Sequence, residues 1–290
     1  MTARRVAVVG LGLMGGSLAR ALAALDVRVL GYDADAPTLA QAVAEGIVHE
    51  PLARDLAETA TADVVVLAVP VGATCALLDA HGARIGAANT LVMDVASTKR
   101  SIVAAAERSA LGARYVGAHP LTGSHRSGWG ASQATLFDNA RVFLCPTRDT
   151  APEMVERATQ FWRALRAGVE LLDAAEHDEQ MAWRSHLPHV LSSALACTLQ
   201  DALVSRAALG PGGRDMTRLA GGSPTLWTSI AMDNAAALAN AMEHAEARLR
   251  DLRERLRMGD ERGVQAFFRD GCDWFEGTPG GVRTMRRTES

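Results

Sequence analysis

Val6-Ala7-Val8-Val9-Gly10-Leu11-Gly12-Leu13-Met14-Gly15 decides the architecture of this chain. Its first four residues read as a strand buried on both faces, the pattern of a parallel strand sandwiched between helices. The glycines follow at once, and residues 14–25 then repeat with helical periodicity. Strand, glycine turn and helix in this order make a nucleotide-binding βα unit, which a bare run of glycines does not. Gly10 permits the tight turn and Gly12 lets backbone approach a pyrophosphate, while Gly15 lets the helix pack closely on the strand. The helix start at Leu13 and Met14 supplies N–H groups and a partial positive charge for the phosphates. Ser17 reads either as a further hydroxyl for them or as a solvent-facing residue.

The next apolar run, Val27-Arg28-Val29-Leu30, ends at Gly31-Tyr32-Asp33. An acidic residue at this spacing binds the adenosine ribose diol. Ala34 and Asp35 follow it with no arginine, so a 2′-phosphate would meet negative charge and NAD is expected over NADP. Val64–Leu67 and Leu91–Met93 continue the series, and runs at 141–145 and 168–172 extend it. Helical stretches between them give a βαβ succession, hence a doubly wound parallel sheet of Rossmann type. Val69-Pro70 ends one strand and is expected on the nicotinamide side.

After Asp173 the strand signals stop. Helical patterns cover 174–208, 213–220, 224–257 and 260–275, with Pro188 expected to kink the first and Gly210-Pro211-Gly212-Gly213 expected as a turn. The expected organisation is a dinucleotide-binding domain over residues 1–173, an all-α domain over 174–276 and a disordered tail over 277–290.

Length and composition bound the function classes. At 290 residues, 48% hydrophobic and 22% charged, the chain has the composition of an ordinary globular protein with room for two domains. A net charge of -3 offers no basic field for nucleic acid and no polybasic stretch for a membrane surface. Met1–Arg5 runs straight into a strand, which is not the form of a signal peptide, and no apolar run reaches bilayer length. Cys75, Cys145, Cys197 and Cys272 are scattered, which argues against zinc and for a reduced, cytoplasmic protein. Cys145 and Cys197 read as small core residues. No metal is expected, because His186 and His189 lack further ligands at a familiar spacing.

Chemistry concentrates in four later segments. In Gly117-Ala118-His119-Pro120, the proline biases His119 towards extended backbone, so the histidine closes a strand at the ligand-binding edge of the sheet. A group that titrates near neutrality there is a candidate acid or base. Ser97, in Asp94-Val95-Ala96-Ser97-Thr98-Lys99, lies at a strand-to-helix turn on the same edge, as an N-cap or in a second role. Ser185-His186-Leu187-Pro188-His189 sets two histidines around the expected kink. Arg214 and Arg218 are four apart on an expected helix face, where a bound carboxylate would offset their repulsion. Met216 and Leu219 beside them suggest a partly buried face.

Together, Gly10–Ser17, Asp94–Lys99, Gly117–Gly128, Ser185–His189 and Arg214–Trp227 resemble, in order, the motif series of the prephenate and arogenate dehydrogenases of tyrosine biosynthesis. The resemblance spans residues 4–276. It implies a dinucleotide-binding domain followed by a helical, dimerising one, with a small-molecule site in a cleft, and hence a homodimer. It also implies oxidative decarboxylation of prephenate to 4-hydroxyphenylpyruvate with NAD. Hydride leaves ring carbon four, the hydroxyl there loses its proton, and carbon dioxide departs as the ring becomes aromatic. By the same resemblance, neutral His119 accepts the hydroxyl hydrogen bond and Ser97 orients it. Arg218 holds a carboxylate, Arg214 and His186 assist with the second carboxylate or the pyruvyl group, and Trp227 packs beside the pocket or in the core.

The chain departs from this pattern at Leu121-Thr122-Gly123, where many relatives have Met-Ala-Gly or Met-Phe-Gly. It departs again at His125, followed by Arg126, where an acidic residue is common. His125 therefore joins the substrate-binding set, and a basic loop favours the pyruvyl group of prephenate over the ammonium of arogenate. The alternatives are an arogenate or dual-specificity cyclohexadienyl dehydrogenase and a non-catalytic NAD sensor. A β-hydroxyacid dehydrogenase would need a lysine in the helical domain, and the only lysine here is Lys99.

Overall fold

The structure, a computed structural model, describes residues 3–123 and 126–277. His125 and all but the first residue of the expected disordered tail lie outside the described residues. The chain divides into two compact units, Met1–Leu238 and Ala239–Ser290.

The first unit opens with β1 (Arg5–Val9), α1 (Leu13–Ala23), β2 (Arg28–Tyr32), α2 (Ala36–Ala44), β3 (Glu50–Pro51) and β4 (Val64–Leu67). It continues through α3 (Val71–His81), β5 (Leu91–Asp94), α4 (Arg100–Arg108), β6 (Tyr115–Pro120), β7 (Arg141–Pro146), α5 (Pro152–Ala164) and β8 (Gly168–Leu171). The eight strands form one sheet in the order β3-β2-β1-β4-β5-β6-β7-β8. The order reverses between β1 and β4, which opens a crevice at the carboxyl ends of the strands.

Alternation along β1 sets the two layers. Val6 and Val8 face α1 and α5, packing with Leu18, Leu22, Phe161 and Trp162. Ala7 and Val9 face the opposite layer, with Leu78 of α3 and Ile102 of α4. Successive strand residues point to opposite faces, so a nearly continuous apolar run is what a doubly covered strand requires.

The doubly wound sheet is parallel except at one edge. β7 pairs antiparallel with β6, placing Phe143 opposite His119, and β8 then runs parallel to β7. Among the described residues, the β6–β7 connection contains one short 3-10 turn, Trp129–Ala131, and no crossover helix. Without a crossover helix, an antiparallel neighbour is the natural outcome.

From Ala174 the unit is helical: α6 (Ala174–Met181), a π turn (Ala182–His186), α7 (Leu187–Asp201), α8 (Pro211–Met216) and α9 (Pro224–Asp233). Pro188 sits in the first turn of α7. The missing proline N–H is absorbed where the widened π turn hands over to the next helix, so the expected kink takes the form of a register change. The helix expected to reach 208 ends at Asp201. The helix expected over 213–220 starts earlier, because Pro211 is well suited to a first helical position. The pattern at 224–257 breaks at Asn234, before α10 (Ala235–Met258). Cys145 is fully buried as expected, but Cys197 is exposed, which corrects its reading as a core residue.

The second unit consists of the body of α10 and α11 (Glu261–Phe275). Asp260 caps α11 by accepting the Gly263 N–H at 3.0 Å, and Arg255 pairs with Asp251 at 2.9 Å and Asp260 at 3.4 Å. Leu249, Leu256, Phe268, Trp274 and Phe275 of this unit are exposed. No helix among the described residues is long and apolar enough to cross a membrane.

Candidate active site

Turns leaving the carboxyl ends of β1, β4, β5 and β6 meet at a cleft of about 1600 Å³ within the first unit. Its cofactor-like edge is defined by glycines. Gly10 has φ +93°, and a Cβ there would lie 2.5 Å from the Ala68 carbonyl oxygen. A Cβ on Gly15 would lie 1.8 Å from the Gly10 carbonyl oxygen. Both positions therefore exclude any side chain. Gly12 is different: nothing lies within 4 Å of a Cβ built there, and it stands at the N-cap of α1. No side chain caps that helix and its first turn holds no acidic residue. Open space over an uncapped helix N-terminus fits a diphosphate bridge.

Gly12, Leu13, Met14, Val69 and Pro70 all line the cleft. Asp33 lies just past β2, with one oxygen accepting the Leu11 N–H at 2.6 Å and the other the Asp35 N–H at 2.8 Å. The carboxylate is thus held beside the glycine turn with lone pairs remaining for a diol. Ser17 departs from both of its expected roles. It is fully buried and accepts the Gln133 N–H at 2.9 Å, tying the β6–β7 connection to α1.

Ser97 and His119 line the same cleft. His119 is only 7% exposed, and its Nδ1 lies 2.8 Å from Nε2 of His177 on α6. His177 Nδ1 in turn lies 2.8 Å from Asp178 Oδ1. Burial, reinforced by neighbouring His177 and Lys99, drives the His119 imidazole well below its ordinary range. Burial also lowers His177, against the opposing effect of its hydrogen bond to Asp178. For Asp178 burial acts upward, but hydrogen bonds from His177 and from the Arg100 and Lys99 N–H groups outweigh it and leave the carboxyl lowered. Both rings are therefore neutral at neutral pH, and the carboxylate is ionised.

The alternative of Ser97 as an N-cap does not hold. Lys99 occupies the N-cap of α4 without a side-chain cap, and Asp178 caps the helix from a distance. Its oxygens accept the Lys99 N–H at 2.8 Å and the Arg100 N–H at 2.9 Å. Nor is Ser97 the hydrogen-bond partner of His119, a place that His177 takes. Beneath them lies a buried ion pair between Lys99 Nζ and Asp94 Oδ2, both side chains fully buried. Asp94 Oδ1 accepts the Tyr115 hydroxyl at 2.6 Å and the Ala118 N–H at 3.3 Å. Gly117 makes room for this pair, since a Cβ there would lie 3.2 Å from Lys99 Cδ.

The helical wall carries His186, His189, Trp227 and Arg218. His186 is 1% exposed, and burial pushes its imidazole down to about 4 despite Asp178 nearby. Asn234 Nδ2 donates to the Asp178 carbonyl at 2.7 Å and lies 3.2 Å from His186 Nδ1. A donor at Nδ1 leaves the proton of the neutral ring on Nε2, so His186 offers a hydrogen bond without charge. His189 donates from Nδ1 to the Ser185 carbonyl at 3.1 Å and stacks on Trp227 with centroids 3.5 Å apart. Trp227 thus belongs to the cleft wall, and the core-packing alternative falls.

The two arginines do not share a partly buried helix face. Arg214 is on α8, Arg218 in the following 3-10 turn, and both are exposed, as is Met216 at 61%. The helix ends at Thr217, whose hydroxyl folds back onto the Gly213 carbonyl at 2.8 Å, so the four-residue spacing carries no common face. Arg218 lines the cleft. Arg214 is not among the lining residues, and its guanidinium donates to the Ala207 carbonyl at 3.3 Å.

Among the described residues the cleft lining includes Arg126, Arg184, Arg206 and Arg218 and no aspartate or glutamate. No cluster of metal-ligating side chains occurs among the described residues. The sequence reading missed His177, Asp178 and Asn234. One signal was present for the first two: Ala174, His177, Asp178 and Met181 are the buried stripe of α6, at helical spacing.

Comparison with known proteins agrees with this geometry. The profile of the prephenate dehydrogenase nucleotide-binding domain matches residues 18–171, and that of the prephenate dehydrogenase dimerization domain matches residues 173–270. Prephenate dehydrogenase of Lactococcus lactis subsp. cremoris is 31% identical, over 92% of this chain and 75% of its own length. Cyclohexadienyl dehydrogenase of Zymomonas mobilis is 31% identical, over 86% of this chain and 87% of its own. The crystal structure of prephenate dehydrogenase from Aquifex aeolicus, in complex with hydroxyphenyl propionate and NAD+, superposes with a TM-score of 0.85 at 29% identity. That alignment covers 95% of this chain and 99% of the other. The chain belongs to the prephenate dehydrogenase family.

Proposed function

We propose that this chain oxidises and decarboxylates prephenate to 4-hydroxyphenylpyruvate with NAD, in tyrosine biosynthesis. The observation that carries the reading is a neutral, buried histidine, His119, lining one cleft with an uncapped helix N-terminus at Gly12 and with Arg218. Bound NAD supplies the hydride acceptor. Gly10, Gly12, Leu13, Met14 and Gly15 hold its diphosphate, Asp33 its adenosine ribose, and Val69 and Pro70 bound its nicotinamide. Asp33 followed by Ala34 and Asp35 supports NAD over NADP.

His119 accepts the proton of the ring hydroxyl on Nε2, and Ser97 holds that hydroxyl in line. Arg218 binds one carboxylate by a charge-assisted pair, and His186 donates a neutral hydrogen bond to the other end of the substrate. Arg126 borders the pyruvyl group. Arg214 is assigned no direct contact within the cleft of a single chain. The functional boundary is drawn at residue 173, with dinucleotide binding over 1–173 and substrate binding and dimerisation over 174–276. A homodimer is supported by the family's dimerization domain and by exposed Leu249, Phe268 and Trp274. Unpaired cysteines support the cytoplasm as its location.

The absence of aspartate and glutamate from the described cleft lining supports prephenate over arogenate, which shares both carboxylates but adds an ammonium that would find no carboxylate partner. The test is NADH formation with prephenate and arogenate in parallel. Prephenate should be favoured in kcat/KM by about tenfold or more, the worth of one unmatched charged hydrogen bond. Equal or reversed preference would overturn the substrate assignment. No turnover of either, with NAD still bound, would favour a sensor.

A further inference from the structure

We infer that His177 and Asp178 govern the protonation of His119: they hold its Nε2 bare, and His177 receives the Nδ1 proton as the substrate hydroxyl is deprotonated. The inference rests on the proposed reaction and extends it to residues outside the family-like motifs read from the sequence.

The hydrogen-bond chain leaves one consistent assignment of protons. Asp178 accepts from His177 Nδ1, from the Lys99 N–H and from the Arg100 N–H, so its carboxylate has acceptor work only. The single proton of neutral His177 is therefore on Nδ1, and its Nε2 is an acceptor. His119 Nδ1, 2.8 Å away, must then carry the proton of that ring. His119 Nε2 is thereby left without a proton, on a residue that lines the cleft.

The same chain has a direction. When the C–H bond at ring carbon four breaks, its electron pair leaves as hydride to an oxidised nicotinamide. The O–H electron pair becomes the second bond of the new carbonyl, and the hydroxyl proton goes to His119 Nε2. His119 would then hold a full positive charge in a site where burial and Lys99 both oppose it. Transfer of the Nδ1 proton to His177 Nε2 moves that charge one ring away, against the Asp178 carboxylate. The other titratable groups facing the two rings are Asp94, at the end of β5, Lys99, from the β5–α4 turn, and His186, from the π turn. Phe143 of β7 packs edge-on against His177 with centroids 5.5 Å apart, and the two imidazoles meet directly at 2.8 Å. His177 and Asp178 are positioning residues, since neither lines the cleft.

The variants His177→Gln and His177→Leu leave the Asp178 cap on α4 in place. A glutamine carbonyl still accepts from His119 Nδ1 and preserves the tautomer, but it takes no proton. We expect kcat for prephenate to fall about tenfold in His177→Gln and about 100-fold or more in His177→Leu, with little change in the KM for NAD. With no carboxylate-backed acceptor the base weakens, so the acid limb of the kcat–pH profile moves to lower pH in His177→Gln. Wild-type turnover and profile in His177→Gln overturn the inference, whatever His177→Leu does. Long-range ¹⁵N–¹H spectra of the free wild-type protein test the tautomers without substrate or variants. Protons on Nδ1 of both rings support the chain of assignments, and a proton on His119 Nε2 refutes it. A wild-type enzyme inactive on prephenate would count against the proposed reaction, and the spectra would still decide the tautomers.

Discussion

The two walls of the cleft handle charge in opposite ways. On the sheet wall the charges beneath the base are buried and matched. Lys99 meets Asp94, Asp178 meets two backbone N–H groups and a histidine, and His119 stays neutral. On the helical wall Arg218 is exposed at the end of a short helix. Proton transfer benefits from a base shielded from water, whose basicity its neighbours set. Anion capture benefits from a solvated guanidinium that keeps its charge and pays little desolvation before the ligand arrives. One cleft thus joins a preset proton acceptor to an open anion clamp.

Substitutions on each wall should separate turnover from binding. His119→Asn keeps hydrogen-bonding capacity but takes no proton, and should lower kcat by about 100-fold or more with little effect on KM. Arg218→Gln should raise the KM for prephenate about 10- to 100-fold, the range for losing one charged hydrogen bond, with a smaller change in kcat. If both variants altered the same constant to the same degree, the division between the walls would collapse.

A third test concerns stability. Native His186 titrates at about 4 against an ordinary 6.5, so the unfolded chain takes up a proton that the native chain refuses over that interval. The associated stability is complete above pH 6.5 and lost progressively as pH falls to about 4. His119 and His177, also lowered, act in the same direction. Thermal unfolding should therefore move to lower temperature across that window, and His186→Gln should flatten the dependence. An unchanged slope would show that His186 does not govern it. The smallest effect is expected at Arg214→Gln, with steady-state constants within about threefold of wild type, as for an exposed substitution. A loss matching that of Arg218→Gln would return Arg214 to the site.

The sheet wall was largely legible because its constraints are local. Gly10 and Gly15 sit where backbone meets backbone, and Pro120 marks His119 as the end of a strand. The direction of β7 and β8 was not legible, since an apolar strand reads the same either way. What sets it is the lack of a crossover helix among the described residues between Pro120 and Arg141. The spacing of Arg214 and Arg218 misled because Thr217 ends the helix between them. His177 and Asp178 were missed for a different reason. Among Glu176 and Glu179 they resemble a solvated first turn, yet Lys99 and Arg100, 79 and 78 residues away, supply the N–H groups that make their burial tolerable. Burial of that kind is decided by a distant partner.

Lys99, the only lysine in the chain, is fully buried beneath the base. A protease that cuts only after lysine therefore has a single target, the Lys99–Arg100 bond. That bond lies in the turn whose N–H groups hold Asp178. The native fold should shield it, and scission into residues 1–99 and 100–290 should occur only when the turn opens. The rate of that one cut would then report how often the floor of the active site comes apart, with no label and no substrate.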